Sequence, residues 1–255
     1  MKAIFPYVTL IFLMSNIENN LTIKVLKTPK FHTGDPPADS FATFSKTEEV
    51  SISELTICLW VLNFYKEDSW FLEEVDKRGF RLSVVQTENY GNNVKIGSFF
   101  YKYKFPPSFE WLPDIWALFC FSFDNESKRF SIYLNSEHIF ESQEESQLKD
   151  YEIAPDFLKY QKIGTANHFA GQITKLNIWS KVLTSEQIKD VYSCKALDPY
   201  PDIVDWETIQ LDLGPNITIE NIDDNDGPCV EGQVEKEEIY VFTQLSHMES
   251  NKKAL

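Results

Sequence analysis

Leu55-Thr-Ile-Cys-Leu-Trp-Val-Leu-Asn-Phe64 is apolar at nearly every position, the pattern of a central strand packed on both faces. Phe80 to Val85 and Val94 to Tyr101 alternate instead, flanked by Gly79 and by Gly91-Asn92-Asn93, and read as two further strands. From Trp116 to Phe123 the alternation puts Ala117, Phe119, Phe121 and Phe123 on one face, with Trp116, Leu118, Cys120 and Ser122 on the other. Asp124 to Arg129 is a polar hairpin turn, and Phe130 to Asn135 returns antiparallel. Glu141 to Asp150 reads as a surface loop and Gln161 to Gly164 as a short strand. Gly171 opens another strand, with Thr174, Leu176 and Ile178 expected on one face. Thr184-Ser-Glu-Gln187 then forms a capping box, and Ile188, Val191 and Tyr192 supply a helical apolar stripe. Ile203 to Trp206 and Ile217 to Glu220 read as closing strands. The pattern predicts an all-β chain: a two-sheet antiparallel β-sandwich with one short helix.

The N-terminus changes the compartment expected. Met1-Lys2 precedes an apolar stretch from Ala3 to Met14, followed by polar Ser15 to Asn20. Residues 1–15 read as a signal peptide, too short to span a bilayer, which needs about 20 apolar residues. Residues 16–30 read as an extended lead-in, within a polar stretch broken by Pro29, Pro36 and Pro37. The sandwich is expected over 31–230. Residues 231–255 read as an acidic tail or as the start of a further module.

The net charge of −15 is unevenly spread, since residues 201–255 hold 13 Asp/Glu against 3 Lys/Arg. No basic run along the chain offsets the phosphates of a nucleic acid, so nucleic acid is not an expected partner. Membrane insertion is not expected either. Cys58, Cys120, Cys194 and Cys229 form an even set behind a signal peptide, so disulfides are expected, with three connectivities open. Sequons at Asn125 and Asn216, and a third at Asn20, offer glycosylation sites to a secreted chain.

Three segments together resemble the pentraxin branch of the laminin-G/concanavalin A-like sandwiches. Leu55 to Trp60 carries a cysteine two residues before a tryptophan. In Trp116 to Asp124, Cys120 and Ser122 match the pentraxin pattern His-x-Cys-x-Ser/Thr-Trp-x-Ser/Thr, while Leu118, Phe123 and Asn125 replace its His, Trp and final Ser/Thr. Phe169 to Tyr192 matches the run Gly-x-Ile…Asn-x-Trp…Leu-Ser-x-Glu-x-Ile, and Val204-x-Trp206 follows. The likeness covers residues 31–230. It implies a jelly-roll, concanavalin A-like fold and a Cys58–Cys120 bond, which leaves Cys194 and Cys229 to each other.

The resemblance also implies a calcium-held ligand site, but the ligands are not matched. Pentraxins hold calcium with an Asp-Asn pair after the early strand and a Glu-Gln-Asp cluster after Leu-Gly. Ile163-Gly-Thr-Ala-Asn-His168 has no carboxylate, and Val75 to Leu82 offers only Asp76, followed by Lys77. Calcium favours several oxygen ligands including carboxylates, so no metal site or cofactor is expected. Asp223 to Gly227 reads as an acidic turn. Hydrolysis in such sandwiches needs two carboxylates on one strand face. Glu73-Glu-Val-Asp76 and Glu141 to Glu145 read as loops, and His32, His138, His168 and His247 are scattered singly. No enzyme is expected.

The aromatic-rich stretch around Tyr101-Lys-Tyr-Lys-Phe105 is the best candidate surface, with Tyr101, Tyr103, Phe105 and Trp111 as ligand-binding residues. The expected function is a secreted, non-catalytic recognition module for an extracellular glycan or protein. The alternative is an adhesive or structural module at the N-terminus of a larger extracellular or cell-surface protein.

Overall fold

A computed structural model describes residues 26–30, 41–45, 52–63, 69–74, 81–87, 91–96, 101–104, 115–142, 160–164, 171–214, 217–222 and 227–229. In chain order these form β1 (Leu26–Lys30), β2 (Ala42–Ser45), β3 (Glu54–Asn63), β4 (Ser69–Glu74), β5 (Arg81–Thr87), β6 (Gly91–Ile96) and β7 (Tyr101–Lys104). Then come β8 (Trp116–Asp124), β9 (Arg129–Leu134), β10 (Glu137–Glu141), β11 (Tyr160–Ile163), β12 (Gly171–Trp179), α1 (Ser185–Tyr192), β13 (Asp212–Leu213) and β14 (Thr218–Ile222). The strands make two antiparallel sheets. Sheet A runs β10-β9-β8-β3-β12-β1-β14 and sheet B runs β13-β2-β11-β4-β5-β6-β7.

The alternation along β8 explains how the layers form. Ala117, Phe119, Phe121 and Phe123 join Leu55, Ile57, Leu59 and Val61 of β3 in the core between the sheets, where Ala42, Phe44, Leu72 and Ile163 of sheet B meet them. Cys58, Trp60, Trp116, Leu118 and Cys120 fall on the outer face of sheet A, where Leu183, Ile188 and Val191 cover them. Apolar residues on both faces of β3 and β8 therefore reflect two cores, one between the sheets and one beneath α1. The helix starts as its residues dictate: the Thr184 hydroxyl accepts from Gln187 N–H, and the Gln187 side chain accepts from Thr184 N–H.

Several local features differ from the sequence expectation. Leu26–Lys30, read as lead-in, is a sheet A strand paired with β14 along its length and with β12 at Lys30. Val94 to Tyr101 is not one strand: the chain reverses after Ile96, and Tyr101–Lys104 returns beside it at the edge of sheet B. Gly91-Asn92-Asn93 lies inside β6 instead of flanking it. Ile203 to Trp206 makes a single bridge, Ile178 to Val204. In β12 the register shifts between Thr174 and Asn177, with Lys175 at φ 50°. That bulge turns Ile173, Leu176 and Ile178 into the core and removes Thr174 from the face it was expected to share.

Two disulfides complete the framework. Cys58 and Cys120 are directly opposite on β3 and β8 with Cα atoms 4.2 Å apart, the close spacing of a non-hydrogen-bonded antiparallel pair. Cys194, at a left-handed φ of 51° just past α1, is joined to Cys229.

Candidate functional site

The two outer faces of the sandwich differ. Sheet A's outer face is covered by α1 and its flanks: Tyr192 stacks on Trp60 with ring centres 5.6 Å apart, and Trp179 Nε1–H donates to Pro199 O at 2.8 Å. Those aromatic side chains are packing.

Sheet B is read by register. Ala42, Ile163 and Leu72 pair in sequence across β2, β11 and β4, are fully buried, and mark the core side. Leu82, Ile96 and Tyr101 continue that same row across β5, β6 and β7, and Val84, Val94 and Tyr103 form the next. Thus Tyr101 and Tyr103, two of the four candidate ligand residues, occupy positions on the face that bears the core. Phe105 and Trp111 lie outside the described residues.

The opposite positions gather the basic residues. One row runs Asp212, Thr43, Lys162, Glu73, Arg81, and the next brings Ser83, Lys95 and Lys102 together, with Lys104 facing Asn93 beyond. Lys162 Nζ lies 4.3 Å from the centre of the Phe41 ring, a cation–π contact on this same face. Five basic positions stand against two acidic ones, although the chain as a whole carries −15. This concentration was missed because the five cations come from four separate short segments. The alternation Tyr-Lys-Tyr-Lys was the signal that could have found it.

Among the described residues, the carboxylates weighed for hydrolysis do not pair on one face of a strand. Glu73 and Glu74, expected in a loop, lie in β4, a central strand of sheet B. As strand neighbours they occupy opposite faces, and Phe71 and Val75 stand two residues either side of Glu73. Glu141, also expected in a loop, ends β10, where a register shift between His138 and Phe140 puts it on the other face from Glu137. Asp76 and 143–145 lie outside the described residues. His138 packs its ring 4.9 Å from that of Tyr133; His32, His168 and His247 are outside the described residues.

Among the described residues no group of three or more His, Cys, Asp or Glu is placed to hold a metal. Residues 165–168 and 223–226, the stretches weighed for calcium, are outside them. So are residues 1–15, Asn20, Asn216 and 231–255. Asn125 is described. It opens the β8–β9 turn, where its Oδ1 accepts from Lys128 Nζ at 2.7 Å and its N–H donates to Ser53 O at 2.8 Å. Beside it the Asp124 carboxylate accepts from the Ser127 hydroxyl and from Glu126 N–H. These bonds, the Ser127 one foremost, hold its pKa below the ordinary value against a smaller opposing effect of burial. Asp202 is also lowered: burial opposes this, but the hydroxyl and N–H of Ser180 donate to its carboxylate and prevail.

The family model for the concanavalin A-like lectin/glucanases superfamily matches residues 37–189, more than half of the chain. The chain belongs to that superfamily. Within it, this lectin-like chain is similar to pentraxins. A 45-residue segment is 42% identical to serum amyloid P-component of Mesocricetus auratus, covering 18% of each chain, so less than a fifth of that relative is spanned. The heptameric SAP-like pentraxin of Limulus polyphemus superposes with a TM-score of 0.63 at 14% identity, over 77% of this chain and 95% of that one. A protein from Bacteroides ovatus assigned as carbohydrate-binding gives 0.52 at 13% identity, over 78% and 61%. The pentraxin-like sandwich is common to these structures. No helix among the described residues is long and apolar enough to cross a membrane.

Proposed function

We propose that this chain is a secreted, non-catalytic recognition module that binds carbohydrate on sheet B without the calcium site of the pentraxins. One observation carries the reading: α1 and its apolar flank occupy the outer face of sheet A, while sheet B presents a row of charged and hydrogen-bonding positions on its outer face. The Bacteroides ovatus protein assigned as carbohydrate-binding has a similar sandwich, which supports a glycan as ligand. Fold alone does not assign a ligand, so the choice of sheet B is supported by its charged positions. The non-catalytic reading rests on Glu73, Glu74, Glu137 and Glu141, which make no same-face pair within their strands.

Secretion is supported by the N-terminal pattern of residues 1–15, two disulfides and the sequon in the Asn125 turn. The full chain, expressed through a secretory host, is expected in the medium with a mass that falls on enzymatic removal of N-glycans. On a glycan array run in chelator it is expected to give saturable signals. A blank array removes the carbohydrate reading, and retention of all material inside the cell removes secretion.

A further inference from the structure

The Cys194–Cys229 disulfide differs from Cys58–Cys120 in access and in charge. Both of its cysteines are partly exposed, whereas Cys58 and Cys120 are fully buried. Lys175, at the β12 bulge, reaches its two sulfurs unequally: the ammonium lies 2.7 Å from Cys229 Sγ and 3.7 Å from Cys194 Sγ. Lys195, next to Cys194 in the chain, is held instead by the Asp190 carboxylate at 2.8 Å. Cys194 in turn closes α1. Its N–H donates to Val191 O and Lys195 N–H donates to Asp190 O, a Schellman motif whose left-handed position, usually a glycine, is taken by Cys194 at φ 51°. The carbonyls of that last turn carry the negative end of the helix dipole, which disfavours a thiolate there.

We infer that Cys194–Cys229 is a reversible thiol-exchange site, at which a low-molecular-weight thiol becomes attached to Cys194 while Cys229 is released. The two asymmetries act in the same direction. A thiolate attacks one sulfur, and the other leaves with the bonding electron pair. The sulfur whose thiolate is better stabilised leaves faster, so Cys229, beside the ammonium, departs and Cys194 takes the incoming group. One S–S bond forms as one breaks, with no net oxidation. The attacking thiol has given its proton to water, and the released Cys229 thiolate pairs with Lys175. That thiolate reverses the step by attacking the mixed disulfide, which restores the original bond and frees the thiol. The attached state leaves a neutral sulfur at the negative end of α1 and unties Gly227–Cys229 from the helix. Cys58–Cys120, beneath α1, stays closed, so the sandwich persists through the exchange.

The test uses reduced glutathione with the full chain at neutral pH, rapid capture by excess N-ethylmaleimide, digestion without reduction and peptide mass mapping. The expected product carries glutathione on Cys194 and maleimide on Cys229, about tenfold over the reverse arrangement, with Cys58–Cys120 intact. In Lys175→Met the ratio is expected to narrow to about threefold or less, the share left to the helix end. A ratio near one, a preference for Cys229, a ratio unaltered in Lys175→Met, or a bond that glutathione leaves closed while dithiothreitol opens it overturns the inference. Where Cys229 re-closes the bond before capture, single-thiol variants decide, each checked for wild-type circular dichroism and an intact Cys58–Cys120 bond. Alkylation of Cys229 in Cys194→Ser is then expected to show a half-point about one pH unit below that of Cys194 in Cys229→Ser. Equal half-points, or a lower one for Cys194, overturn the assignment of Cys229 as the leaving sulfur.

Discussion

The Lys175 ammonium lies 2.7 Å from Cys229 Sγ and 3.7 Å from Cys194 Sγ, placed there by the β12 bulge. Reduction of a disulfide releases a thiolate, and an adjacent cation stabilises that thiolate and speeds its departure. Cys58 and Cys120 are fully buried under α1 and lie among apolar side chains. Dithiothreitol is therefore expected to open Cys194–Cys229 first. Lys175→Met should slow that step roughly tenfold and leave Cys58–Cys120 unchanged. Quenched alkylation followed by mass mapping reads both bonds; equal rates for Cys194–Cys229 in variant and wild type would remove the role given to Lys175.

The capping box gives a second prediction. An eight-residue helix does not hold itself in water, so its ends and its packed face decide whether it forms. Thr184→Ala leaves the first-turn N–H of Gln187 without its hydroxyl acceptor and should cost about 1 kcal/mol, whereas Thr184→Ser should cost little. Denaturant midpoints of the two variants check this. An alanine variant as stable as wild type would mean that packing alone sets α1.

These local rules were the legible part of the chain. The two faces of β8 could be assigned by counting residues, because an unbroken strand alternates strictly. The capping box of α1 was legible for the same reason, as its partners lie within one turn. The Cys58–Cys120 pairing came instead from the pentraxin resemblance, since residue spacing left three connectivities open. Counting failed at β12, where one extra residue at Lys175 moved Thr174 off the expected face. It failed again at β1, whose main partner, β14, lies some two hundred residues away in the chain and whose Pro29 argues against a strand. The candidate surface was half legible. The stretch from Tyr101 to Phe105 was singled out as a surface, but only the pairing with β6 shows that Tyr101–Lys104 is a strand of its own, that its lysine and tyrosine positions take opposite faces and that Lys95, Lys162 and Arg81 share the face of the former.

The Asp124 turn carries a pH dependence. Its carboxylate accepts from the Ser127 hydroxyl and Glu126 N–H, so its pKa in the folded chain lies below the unfolded value. Such a group contributes stability above about pH 4, which is lost as the pH falls through the lowered folded value. Asp124→Asn cannot ionise and should flatten the fall in thermal midpoint between about pH 5 and pH 2, with little change at neutral pH beyond the loss of charge-assisted bonding. Parallel acid slopes in variant and wild type would show that other carboxylates dominate acid unfolding.

The outer core beneath α1 ties stability to the protection of the first disulfide. Ile188 is fully buried in the cluster that holds Cys58, Cys120, Trp60 and Leu183. Ile188→Ala removes buried methyl groups from a site that cannot fully collapse and should cost about 2–5 kcal/mol. Lys189→Ala, on the exposed side of the same helix, should stay within about 0.5 kcal/mol of wild type. Part of the cost should appear as easier local opening of α1, because a short helix held by one apolar stripe detaches before the sheets separate. Reduction of Cys58–Cys120 is then expected to accelerate in Ile188→Ala while the rate at Cys194–Cys229 stays close to wild type. Acceleration at both bonds would indicate global unfolding as the route to reduction, and an unchanged Cys58–Cys120 rate would mean that the strands themselves shield that bond.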